Sequence, residues 1–141
     1  MRSKVQKLAQ LAYECVKEVK GKANEIDKMN KKGKEFASKY LSYARKLPSM
    51  IIYNGLLTTV AFAKTKAKKA SIEGLAWEKL LEHLKEFLRR EGINRDNEDL
   101  IEFLSKREVQ EYRFITKRVL DFSLWLKRIA EGEIEDEGKG D

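Results

Sequence analysis

Residues Leu47 to Lys69 read LPSMIIYNGLLTTVAFAKTKAKK. The stretch opens beside Pro48, the chain's one proline, and continues almost unbroken as apolar residues. Asn54, Gly55, Thr58 and Thr59 interrupt it, and four lysines, Lys64, Lys66, Lys68 and Lys69, close it. No alternation of apolar and polar residues is present, so the pattern is helical and not that of a half-buried strand. Proline disfavours helical geometry at the residue before it and suits the first turn of a new helix. The spacing therefore predicts a break at Pro48 and a helix from about Pro48 to Lys69. Its first part is apolar nearly all round, as in a helix packed on several sides, and is expected to be the central helix of the core. Gly55 inside such a helix lowers helicity by about 1 kcal/mol relative to alanine; close approach of a neighbouring helix is the expected compensation.

Working outward, the helical period recurs on both sides. Val5, Leu8, Ala12, Cys15 and Val19 form one stripe, with Ser3 as its N-cap and Gly21 as its end. Residues 21–34 carry no stripe and read as a loop. Phe36, Tyr40, Tyr43 and Leu47 form a second stripe. Ser71 caps a later helix, with Glu73 in its first turn and a stripe from Ile72 to Leu88 that ends at Gly92. A short helix is expected over about Glu98 to Leu104. Ser105 and Glu108 have capping-box spacing before a last helix, whose stripe runs from Val109 to Ile129 and stops at Gly132. The whole reads as an all-α, compact single-domain bundle of five or six helices over residues 1–131. Residues 132–141 are expected to form a mobile acidic tail.

Length and charge narrow the function. A chain of 141 residues can bury one real core. Charged residues reach 38%, well above the usual quarter. The last eleven residues hold six acids and one lysine, so residues 1–130 carry about +12 against +7 for the whole chain. A body with that charge attracts polyanions; a soluble charged surface with a solvated tail is the alternative. Cys15 stands alone, which excludes an internal disulfide and a multi-cysteine metal site. MRSKVQKLAQ lacks an apolar leader core, and the longest apolar run is too short to span a bilayer. A soluble, cytoplasmic protein without membrane contact is expected.

Catalytic patterns are few. His83 is the sole histidine, and its neighbours Glu82 and Lys85 place it on the surface or rim. The glycines form no phosphate-cradling loop, and no serine sits in a nucleophile elbow. Asp96, Asp99 and Glu102 are the carboxylates closest to a metal-dependent nuclease pattern. Acids favourably placed near the positive end of a helix are the preferred explanation of them. No cofactor or metal is indicated by the remaining residues.

The basic residues are the stronger signal. Arg45 and Lys46 precede Pro48; Lys64, Lys66, Lys68 and Lys69 surround a helix end; Arg113 and Lys117 share a helix face. These eight are the candidate RNA-binding residues, touching phosphates without reading sequence. Tyr40, Tyr43, Tyr53 and Tyr112 lie near them, as stacking partners for bases or as core residues. For the lysines, complementing a helix dipole is the competing role.

Two blocks carry a family resemblance. YLSYARKLPSMIIYNGLLTTVAFAKTK contains the spacing A-x-x-L-P-x-M-I-x-x-N-G-L. YRFITKRVLDFSLWLKRIAEG, about fifty residues later, contains Y-R-x-x-T and W-L-K-R-x-A-x-G. Together they resemble the small helical subunit of the type III-B CRISPR effector, the Cmr complex. The resemblance implies a non-catalytic structural subunit in antiviral defence. It implies stacking of copies into an inner filament beside the backbone and large subunits, and a share in the basic channel for guide RNA and target RNA. The isolated protein is then expected to be monomeric if stacking needs the other subunits. A free-standing metal-dependent nuclease using Asp96, Asp99 and Glu102, and a helical adaptor without RNA contact, are the alternatives.

Overall fold

A computed structural model describes residues 2–136. Six helices and no strand occur among the described residues. They are α1 (Lys4–Asn30), α2 (Gly33–Asn54), α3 (Leu56–Ala67), α4 (Ile72–Arg90), α5 (Leu100–Ser105) and α6 (Val109–Glu133). The all-α reading holds. None of these helices is long and apolar enough to cross a membrane.

Ser3 caps α1 as expected, accepting the Gln6 N–H while the Gln6 side chain accepts the Ser3 N–H. Gly21 does not end the helix. It is exposed, nothing lies within 4 Å of the place where its Cβ would be, and α1 runs on to Asn30. The expected loop over 21–34 is thus mostly helix. Its driving force is a continued stripe of modest residues: Val19 and Ala23 are buried and Ile26 packs on the core. The true turn is tighter and later. Lys31 adopts φ 61° and donates its N–H to the Asp27 carbonyl. The Asp27 carboxylate accepts the Gly33 N–H at 2.6 Å. A side chain at Gly33 would collide with the Ala23 carbonyl oxygen. Only a glycine lets α1 and α2 approach so closely here.

The expected break at Pro48 also moves. Pro48 lies inside α2, buried, and the helix continues through it to Asn54. A mid-helix proline forfeits one backbone hydrogen bond and strains the turn before it; here its ring joins a face on which Tyr40, Ala44, Leu47 and Ile51 are also buried. The break falls at Gly55, with φ 87° and ψ 158°. That backbone region is essentially closed to residues with a Cβ. Gly55 is therefore a corner and not a packing point within one long helix, and α3 is only 12 residues long. Across the corner, the Leu57 N–H donates to the Tyr112 hydroxyl of α6 at 2.8 Å. A donor orphaned at a helix start finds its partner on another helix.

The central helix is consequently α2, which packs on α1, α3, α4 and α6. Tyr40, Phe36, Leu41 and Leu47 are among its buried side chains. Phe87 of α4 stacks on Phe122 of α6, centroids 4.6 Å apart. Ser71 caps α4 by accepting the Gly74 N–H, and Gly92 beyond its end has φ 76°. Asn94 is buried and holds the next loop with two bonds to the Glu98 backbone. The Ser105–Glu108 capping box does not form. Burial of Phe103 and Leu104 carries α5 through Ser105, whose hydroxyl donates to the Glu102 carbonyl, and α6 starts behind Glu108 without a side-chain cap. Gly132 lies within α6, Ile134 is buried, and Asp136 accepts from Arg45. The rest of the expected mobile tail, residues 137–141, lies outside the described residues.

Candidate nucleic-acid interface

The eight basic candidates divide into engaged and open residues. The Arg45 guanidinium bridges α2 to the end of α6, 2.9 Å from Asp136 and 3.1 Å from Glu131. The Asp136 hydrogen bond, with that of Glu131, raises its pKa further. Lys64 lies 2.5 Å from Asp99 and ties α3 to the start of α5. Lys117 sits 4.0 Å from Asp121, one turn along α6, and is itself largely in solvent; such an exposed pair contributes a few tenths of a kcal/mol. Lys46, Lys66, Lys68, Lys69 and Arg113 have no acidic partner among the described residues. Lys46 and Arg45 are adjacent in sequence yet diverge: Lys46 lies over the Tyr43 ring and faces a groove between α2, α3 and α4. Lys66 reaches the same groove from α3, with Nζ 5.3 Å from the Phe62 ring centre. Lys68 and Lys69 are exposed at the end of α3. Arg113 and Lys117 are exposed one turn apart on α6.

The tyrosines part company in the same way. Tyr40 and Tyr43 are buried. Tyr43 stacks on Trp77, centroids 4.2 Å apart at 13°. Tyr112 is half-buried and holds the Gly55 corner. Only Tyr53 is open to stacking, 82% exposed at the end of α2. Phe62, 43% exposed, was not among the stacking candidates, although its edge-on contact with Trp77 places it in the groove wall. The available signal was the repeat of groove residues at four-residue spacing: Lys46, Met50 and Asn54 on α2, and Thr58, Phe62 and Lys66 on α3.

The carboxylates of the nuclease pattern are occupied by the fold. Asp99 caps α5 by accepting the Glu102 N–H at 3.2 Å. The Lys64 hydrogen bond holds its carboxyl below the usual aspartate range, against the opposing effect of burial. Glu102 pairs at 3.8 Å with Lys106, the residue just past the end of its own helix. Asp96 is exposed in the loop before them. Among the described residues no three His, Cys, Asp or Glu side chains converge on a possible metal position.

His83 is not at the rim. It is 3% exposed. The Tyr40 hydroxyl lies 2.6 Å from Nδ1, and Nε2 lies 2.6 Å from Glu18 Oε1. Burial pushes the His83 pKa down despite Glu18, and burial pushes the Tyr40 phenol far up. A neutral imidazole satisfies every group: Nε2–H donates to Glu18, and Nδ1 accepts the Tyr40 O–H. Burial opposes ionisation of Glu18, but the hydrogen bond it accepts from His83, with the nearby Lys79 charge, lowers its pKa overall. The polar neighbours Glu82 and Lys85 misled because His83 occupies the inner face of α4 with Leu80, Leu84 and Phe87. Cys15, expected in the core, is buried there, and burial pushes its thiol to about 12.

The family model for CRISPR-associated protein (Cas_Cmr5) matches residues 4–133. The chain belongs to the Cmr5 family. The CRISPR system Cmr subunit Cmr5 of Thermotoga maritima is 30% identical over 130 residues, covering 90% of this chain and 87% of that protein. The crystal structure of a CRISPR-associated Cmr5 family protein from Thermus thermophilus superimposes with a TM-score of 0.70 at 28% identity. It covers 95% of this chain and 100% of that one. The Cmr5 match thus takes in both sequence blocks, the Gly55 corner between α2 and α3, and the five open basic residues.

Proposed function

We propose that the chain is a non-catalytic structural subunit of the Cmr ribonucleoprotein in CRISPR defence. Copies stack into the inner filament beside the backbone and large subunits. Their basic surface helps to form the channel for guide and target RNA, and the assembly works in the cytoplasm. The observation that carries this reading is the Cmr5 family match across almost the whole chain. The open cations Lys46, Lys66, Lys68, Lys69 and Arg113 support the RNA part, because charges with no acidic partner among the described residues are available to phosphate. The engagement of Asp99 and Glu102 by Lys64 and Lys106 disfavours the nuclease reading.

Reconstitution tests the proposal. The purified chain is mixed with the other Cmr subunits and guide RNA, then resolved by size. Co-migration in more than one copy per complex is expected. A chain that remains free, with an otherwise complete complex forming around the guide, would refute the role.

A further inference from the structure

The groove between α2, α3 and α4 has a volume of about 600 Å³. Each helix lines it with residues one turn apart. Lys46 and Asn54 stand on α2, Thr58, Phe62 and Lys66 on α3, and Trp77 on α4. The α2 stripe approaches the Gly55 corner and the α3 stripe leaves it. Lys46 and Lys66 are nine and eleven residues from that corner, about 14 and 17 Å along their helices at 1.5 Å per residue. Asn54 and Thr58 flank the corner itself.

The lining is chemically specific. Phe62 is held edge-on to Trp77, with centroids 5.6 Å apart, and Trp77 is fixed in turn by its stack on Tyr43. An aromatic ring is therefore exposed but already immobilised. Lys46 and Lys66 lack acidic partners among the described residues, and the groove's one carboxylate, Glu73, lies 3.7 Å from Lys39. Asn54 and Thr58 make no side-chain hydrogen bond among the described residues and are exposed. An apolar helix laid in the groove would bury two cations that have only aromatic rings, and no acid, beside them among the described residues, together with two unmet polar groups. A nucleotide meets all of them: phosphates take the lysines, a base stacks on Phe62, and its edge bonds to Asn54 and Thr58. A duplex keeps its bases stacked on one another and offers no free face.

We propose that this groove takes an unpaired nucleotide of single-stranded RNA. The proposal rests on the RNA-contact reading above and deepens it from non-specific phosphate contact to a base-stacking site.

The test reads the groove directly. Trp77 and Trp125 are the chain's two tryptophans, so in a Trp125→Phe chain the fluorescence reports Trp77 alone. A short oligouridylate is titrated at low ionic strength, with an RNA duplex of the same length as control. The expected result is quenching by the single strand and not by the duplex. Phe62→Ala should weaken binding on the order of tenfold or more, as loss of one base–aromatic stack does. Lys46→Glu with Lys66→Glu, both on the surface, should remove the quench without unfolding the chain. No quench in the parent, equal quench by duplex, or unchanged affinity in Phe62→Ala would overturn the proposal. Salt-sensitive RNA retention on a filter without any Trp77 response would overturn the groove alone and leave the wider RNA contact standing. A double-lysine variant that binds oligouridylate normally but fails to enter the reconstituted complex would assign the groove to a protein subunit instead.

Discussion

Gly55→Ala is the perturbation whose sign decides how the decisive stretch is folded. If Leu47 to Lys69 were one continuous helix, alanine at position 55 would stabilise it by about 1 kcal/mol through helix propensity. At φ 87° and ψ 158° the same change does the opposite. A Cβ at Gly55 would meet only the Tyr112 hydroxyl, at an ordinary 3.7 Å, so the penalty is backbone strain and not collision. Strain of that kind costs about 1–3 kcal/mol. For a chain of this length, each kcal/mol lowers Tm by about 3–4 °C, so a fall of roughly 3–12 °C is expected. Gly21→Ala provides the matched control. Gly21 is helical, exposed and without neighbours, so alanine there should stabilise by about 0.4–1 kcal/mol. Urea and thermal unfolding of the two variants measure both. A neutral or stabilising Gly55→Ala would refute the corner.

Tyr112→Phe removes the acceptor of the Leu57 N–H and should cost about 0.5–1.5 kcal/mol. Hydrogen exchange at the Leu57 amide should quicken, and unchanged exchange there would show that the bond carries no weight. Gly33→Ala drives a Cβ into the Ala23 carbonyl and should destabilise by about 1–3 kcal/mol, despite alanine's better helix propensity; stability equal to the parent would contradict the close α1–α2 turn. His83 should make stability pH-dependent. Its folded pKa lies below the ordinary 6.5, so the unfolded chain binds more protons as pH falls through that value. Stability is therefore full above about pH 7 and declines toward pH 5, by at most about 1.4 kcal/mol per unit. The carboxylates with lowered pKa values, Glu18 beside it, Asp99 through Lys64 and Glu86 at about 2 through Arg89 and Arg90, add their losses only further into acid. A Tm independent of pH between 7.5 and 5.5 would contradict a buried neutral imidazole.

The fold class was legible because the strong stripes are made of large apolar residues, and those determine which faces are buried. Boundaries were less legible where small differences in free energy decide. Ala23 and Ile26 were too weak a pattern to carry α1 past Gly21, yet the Asp27–Gly33 turn shows where the helix ends. Pro48 and Gly55 compete as breakers seven residues apart. Local rules favour the proline, but its ring has a place in the core, while Gly55 takes a conformation closed to other residues. His83 was misread because its sequence neighbours face outward while it faces inward.

The candidate interface was legible as charge and not as geometry. Sequence alone located Arg45, Lys46, Lys64, Lys66, Lys68, Lys69, Arg113 and Lys117. That Arg45 and Lys64 are bound to Asp136 and Asp99 depends on contacts 91 and 35 residues away. Phe62 and Trp77 meet because α3 packs on α4, and Lys46 joins their groove because the chain turns at Gly55.

The central claim is that this basic surface works on RNA within the assembled ribonucleoprotein. The most direct measurement is target-RNA affinity of the reconstituted complex across a salt series, with the parent chain and with Lys66, Lys68 and Lys69 changed to glutamate. Each lost single-strand phosphate contact flattens the log–log slope by about 0.7, so three should flatten it by about 2. A variant complex of normal composition with an unchanged affinity and slope would contradict the account.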